Sequence, residues 1–162
     1  MKTILVPTDF SRAAGNAAEY ALNLAKEIDA KVLLFHAYHL PIQISDYPVM
    51  DISAADLQHE NDILLEKEAA RLKEKTGVQA ECLARIGFAV DEILEEEKKA
   101  SFLVMGMKGL SQLDEVLMGS ITTATLKKSL KPILVIPEQV QYKDPENIVF
   151  ACDYHPDTDS RT

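Results

Sequence analysis

The chain has 162 residues, with 26 acidic against 17 basic side chains and a hydrophobic share of 47%. That length suits one domain with a sizeable core, and that apolar share excludes a disordered chain. A net charge of −9 excludes broad affinity for nucleic-acid phosphates, so any polyanion must be bound by local backbone geometry.

No apolar run approaches the ~20 residues of a membrane span, and Lys2 leads straight into Ile4-Leu5-Val6 with no signal-peptide pattern. Cys82 and Cys152 lie too far apart for a C-x-x-C redox motif or a zinc framework. A cytoplasmic protein is the expectation.

Ile4-Leu5-Val6 is a continuous apolar run, as in a strand buried on both faces. From Ser11, a plausible N-cap, the period becomes helical: Ala14, Ala17, Ala18, Ala21, Leu22, Ala25 and Ile28 form one stripe. Val32-Leu33-Leu34-Phe35 is a second buried strand, and His39 to Met50 reads as a loop. A second helix runs from about Ser53 to Lys75, with Gly77 placed to end it. Val78, Ala80, Cys82 and Ala84 alternate with polar neighbours, which predicts a strand near a sheet edge. A third helix is expected over Ala89 to Lys99, its Glu95-Glu96-Glu97-Lys98-Lys99 end exposed. Phe102 to Met105 is a third buried run, followed by a glycine-punctuated loop from Gly106 to Gly119. A fourth helix covers Ser120 to Leu130, with lysines at its C-terminal end. Pro132 to Pro137 is the last strand.

Strands alternating with helices predict an α/β fold, a doubly wound five-stranded parallel sheet of order 3-2-1-4-5 with helices on both faces. Ligands of such sheets sit beyond the carboxyl ends of the strands at the switch point, here between strands one and four. The loops that matter are therefore Pro7 to Phe10 and Gly106 to Gly119.

Neither G-x-x-x-x-G-K-[ST] nor a G-x-G-x-x-G after the first strand occurs, which removes the P-loop and dinucleotide readings. What does occur is Gly106-Met107-Lys108-Gly109, nine residues, then Gly119-Ser120. Glycines let backbone N–H groups approach an anion. Gly119, Ser120 and Ile121 would add the amides and dipole of a helix N-terminus. Such a loop binds phosphates without a basic cluster; it also reads as an ordinary connection with glycine turns.

Residues 1 to 137 resemble the universal stress protein family. Ile4 to Ser11 is similar to its first strand and turn, Gly106-x2-Gly109-x9-Gly119-Ser120 to the G-x2-G-x9-G-[ST] signature of its ATP-binding branch, and Val135-Ile136-Pro137 to its closing strand. The resemblance implies an ATP-binding stress sensor or regulator. It places Gly106, Met107, Gly109, Gly119 and Ser120 at the triphosphate and ribose, and Ile121 and Thr122 in the continuing phosphate shell. Pro7, Thr8 and Asp9 would border the ribose and adenine, and the Ala37 backbone would read the adenine edge. Mg²⁺ would accompany ATP through phosphate oxygens and water. The resemblance also implies a homodimer formed near Ile133 to Ile136.

Asp9 reads equally as the cap of the first helix; only the resemblance favours a ligand. His36 and His39 point to opposite faces of a strand, so no shared metal is expected. No Ser-His-Asp arrangement or general base stands beside the glycine loop, so no catalytic residue is assigned and hydrolysis would at most be slow. The alternative readings are an interaction module with a structural glycine loop, or a slow ATPase. No nucleic acid or membrane partner is expected.

Beyond a linker at 138–146, Asn147 to Tyr154 echoes Thr3 to Phe10 at isoleucine and aspartate. Residues 147–162 are accordingly expected to hold the first strand of an incomplete second repeat and a polar tail, paired with a sheet edge. A truncated or natural fragment of a tandem protein would have this form.

Overall fold

The computed structural model describes residues 2–39, 53–107 and 118–151. Five strands, β1 (Lys2–Pro7), β2 (Ala30–Tyr38), β3 (Glu81–Ile86), β4 (Phe102–Met107) and β5 (Ile133–Pro137), alternate with four helices. These are α1 (Arg12–Glu27), α2 (Ala54–Thr76), α3 (Ala89–Glu96) and α4 (Ser120–Lys128). All four strand pairings are parallel and the sheet order is β3-β2-β1-β4-β5. The expected fold class is the observed one.

Each face of the sheet buries its own cluster. Ile4, Val6, Val32, Leu34 and Val104 pack with the alanine stripe of α1 and with Leu65, Ala69 and Leu72 of α2. Leu5, Phe35, Leu103 and Met105 point the other way and meet Ile93 of α3. Neighbours in a strand thus serve opposite cores, which is why these strands read as continuous apolar runs. The small side chains of α1 let it lie close against the sheet. Gly106 is where that approach is tightest: a Cβ there would come within 2.6 Å of the backbone carbon and oxygen of Ala13.

The helix ends follow local chemistry. Ser11 caps α1 by accepting from the Ala14 N–H. Ser53 and Asp56 form a capping box on α2, whose other end closes on Gly77 at φ 74°, a conformation that glycine adopts without strain.

Four expected boundaries shift. β4 runs on through Gly106 and Met107, which pair with Ile136 and Pro137, so the glycine loop starts later than the sequence suggests. β3 begins at Glu81, three residues late, and is an edge strand as expected. α4 ends at Lys128, where Ser129 takes extended backbone. The third helix ends as a 3₁₀ turn at Glu97–Lys99, and its charged end is exposed at Glu95, Lys98 and Lys99 but not at Glu96 and Glu97. Glu96 and Glu97 are only 3% and 5% accessible. Glu96 pairs with Arg85 at 2.8 Å and Lys99 at 3.1 Å. Glu97 accepts from the Ser129 hydroxyl and, at 3.1 Å, from the Leu130 N–H.

The segment after β5 lies on α1. The Asn16 amide donates to the carbonyl oxygens of Pro137 (3.0 Å) and Val140 (2.9 Å), and Tyr142 meets Tyr20 edge-on at 5.0 Å. Residues 141–151 carry no helix or strand, and Ile148, Val149 and Phe150 are 86–92% accessible. The rest of the expected second-repeat strand, 152–154, lies outside the described residues, as do most of the loop following His39 and residues 108–117 of the glycine loop.

Candidate functional site

β1 and β4 are neighbours whose following helices lie on opposite faces, α1 packed with α2 and α4 packed with α3, which opens a crevice at their carboxyl ends. A cavity of about 520 Å³ occupies it, within the usual range for small-molecule sites. Nine of the eleven residues singled out from sequence line it: Pro7, Thr8, Asp9, Ala37, Gly106, Gly119, Ser120, Ile121 and Thr122. Met107 ends β4 opposite Pro137 and does not line it. Gly109 and Lys108 lie outside the described residues.

The turn after β1 is held rigidly. The Thr8 N–H donates to the Phe35 carbonyl at 2.8 Å, and His36 Nδ1 donates to the Thr8 carbonyl at 2.7 Å. Phe10, at φ 61°, takes a left-handed conformation that costs a non-glycine residue roughly 1–2 kcal/mol. Its N–H bonds Thr8 Oγ1 at 3.1 Å and its ring packs on His36 at 4.5 Å, which fix it there. His36, weighed from sequence only as a metal ligand, is instead what locks this turn to β2.

The two roles left open for Asp9 separate here. Ser11 is the cap of α1. Asp9 accepts from the Ser11 N–H through Oδ1 at 3.0 Å, and the residue is exposed on the cavity wall.

Across the cavity α4 begins at Gly119, with no side-chain cap among the described residues. The first-turn amides of Ser120, Ile121 and Thr122 have no partner within the helix. The Thr122 hydroxyl is committed to the Gly106 carbonyl at 3.0 Å, tying α4 to the end of β4, so Thr122 meets the cavity without that donor. Ser11 to Ala14 of α1 and Ala89 of α3 complete the ring, so three helices start on one cavity. Helix starts carry partial positive charge, and the cavity suits an anion although the molecule is acidic.

Residue-level reading missed Arg12, Ala89 and Glu138, which also line the cavity. The topology alone flags the first two, since helix starts collect where a doubly wound sheet divides. Glu138 follows β5 and nothing in the sequence marks it.

The comparison with known proteins now decides the family. Residues 1–137 match the model of the universal stress protein family. The chain belongs to that family. A universal stress protein of Methanocaldococcus jannaschii is 31% identical over 139 residues, covering 83% of this chain and 81% of that protein. The solved structure of a universal stress protein from Archaeoglobus fulgidus superposes with a TM-score of 0.67 at 25% identity, covering 86% of this chain and 52% of that longer one. Two further universal stress proteins share the fold at lower identity. One was solved in complex with cAMP (TM-score 0.57, 23% identity, 85% and 97% covered). The other, from Archaeoglobus fulgidus, was solved in complex with dAMP (TM-score 0.59, 19% identity, 83% and 97% covered).

Proposed function

We propose that this universal stress protein binds an adenine nucleotide, ATP foremost, in the cavity between β1 and β4 and acts as a nucleotide-dependent regulator. The observation that carries the reading is the cavity itself, with α4 starting on it beside a glycine and with no side-chain cap among the described residues. Its volume is suited to one nucleotide, and the mixture of apolar strand ends and uncapped amides matches a base at one end and phosphates at the other. The cAMP and dAMP complexes of proteins with this fold agree with that choice.

The residue roles follow. Gly119, Ser120 and Ile121 supply phosphate-directed amides, joined by Thr122 and by Gly106 and Gly109 of the glycine motif. Asp9 offers its remaining carboxylate capacity to a ribose hydroxyl, beside Pro7 and Thr8. Ala37, at the carboxyl end of β2, lies where main-chain groups can meet the base edge. Among the described residues no three His, Cys, Asp or Glu side chains gather for a metal, and the carboxylates on the cavity wall are Asp9 and Glu138. Mg²⁺ would arrive on the phosphates, held by their oxygens and water. No helix among the described residues is long and apolar enough to cross a membrane.

Calorimetric titration of the purified chain with ATP and Mg²⁺ tests the reading, with Gly119→Val as the control. Gly119 has φ −57°, a backbone conformation open to valine, and circular dichroism of the variant checks that it folds. Binding by the parent and its loss in the variant are expected; no heat with the parent overturns the reading.

A further inference from the structure

Arg12 is the first residue of α1, where helix electrostatics disfavour a cation, and no acidic residue in the first turn offsets it. Packing does not explain it either: its side chain is 93% exposed, with Nε 3.6 Å from Glu138 Oε1. Arg12 and Glu138 both line the cavity, and Arg12 is the basic residue on that wall among those described. A cation in an unfavourable place, against an otherwise acidic molecule, marks a local conflict of the kind found at functional positions.

We propose that Arg12 recognises the ligand's phosphate chain, exchanging Glu138 for it, and so sets the preference of the cavity for charged over uncharged adenine ligands. The proposal rests on the nucleotide reading above and goes beyond it in naming the residue that selects charge. The guanidinium presents paired N–H donors that match phosphate oxygens. An ion pair as exposed as Arg12–Glu138 is weak and readily exchanged. A phosphate beside the start of α1 also answers the dipole that Arg12 alone opposes, so helix and side chain then act on one anion together. Glu138 competes with that anion for the same guanidinium, which keeps weakly charged ligands out. Because Glu138 opens the segment that Asn16 fastens to α1, the exchange frees one attachment of that segment.

Titration calorimetry of the full chain with adenosine, AMP and ATP tests this, using Arg12→Gln, Arg12→Lys and Glu138→Gln. R12Q is expected to lower the ratio of ATP to adenosine affinity roughly tenfold, the size of one charge-assisted contact. R12K, which keeps the charge without the planar fork, restores part of the ratio, and E138Q raises it. A ratio in R12Q equal to the parent's overturns the proposal and leaves nucleotide binding standing. Absence of heat with both adenosine and ATP in the parent overturns the nucleotide reading and this inference with it.

Discussion

Gly106 carries two demands at once. Its carbonyl accepts from Thr122, and its missing side chain lets α1 lie against β4, where a Cβ would meet Ala13 backbone atoms at 2.6 Å. Backbone cannot yield as a side-chain tip can, so Gly106→Ala must separate helix from strand. We expect a loss of about 1–3 kcal/mol in denaturant unfolding, the usual cost of overpacking. The sequence marked this glycine as part of a phosphate loop, and its packing role was hidden because it depends on how closely another element approaches. Asp9 was ambiguous for a related reason: capping and ligand roles ask for the same residue types, and only the position of Ser11 separates them. His36 shows the converse. Its spacing to His39 argued against metal, yet nothing local revealed a bond to Thr8 across two strands. The charge run at the end of α3 is solvated at Glu95, Lys98 and Lys99, as such runs ordinarily are, but Arg85 holds Glu96 and the chain after α4 holds Glu97 out of solvent.

At the scale of elements, the two helix ends joined by Glu97 make a specific case. Its buried carboxylate serves the Ser129 hydroxyl and the Leu130 N–H together. Glu97→Ala removes both bonds; because Ser129 is half-buried, Leu130 is exposed and the Ser129 hydroxyl still reaches the Lys131 carbonyl, a loss of roughly 0.5–1.5 kcal/mol is expected. An unfolding free energy equal to the parent's would contradict the contact. The segment after β5 gives a second case. Tyr142, donating to Asp144 at 2.8 Å, has its phenol pushed up to about 12, first by desolvation and then by that bond. A raised phenol favours the folded form in its protonated state. That contribution is whole below the ordinary phenol value near 10 and is lost as pH rises toward 12. Ultraviolet phenolate titration of the parent against Tyr142→Phe should show one late-titrating tyrosine removed. Element order and sheet topology were legible because period and punctuation alternate cleanly along the chain. Element ends were not, since Gly106 and Met107 join β4 only through pairing with β5.

For the whole molecule, the sheet has two edges, β3 and β5. Leu134 of β5 is exposed, as is Leu130 just before that strand, and β5 has one unpaired edge among the described residues. We propose a homodimer formed along β5, as a paired edge removes unpaired backbone groups from solvent. Leu134→Lys should lower the mass seen by sedimentation from dimer to monomer; a parent that sediments as a monomer would remove this assembly. The cavity belongs to one chain and does not depend on that outcome. It arises where α1 and α4 leave the sheet in opposite directions, so topology makes the crevice, and we propose that the glycine motif and the first-turn amides of α4 give it affinity for phosphate. Amide chemical shifts recorded during addition of ATP and Mg²⁺ test that claim most directly. The account predicts saturable shifts at Thr8, Asp9, Ala37, Gly106 and Gly119 through Thr122. Saturable shifts confined to residues away from that cavity, or no shifts at all, would contradict it.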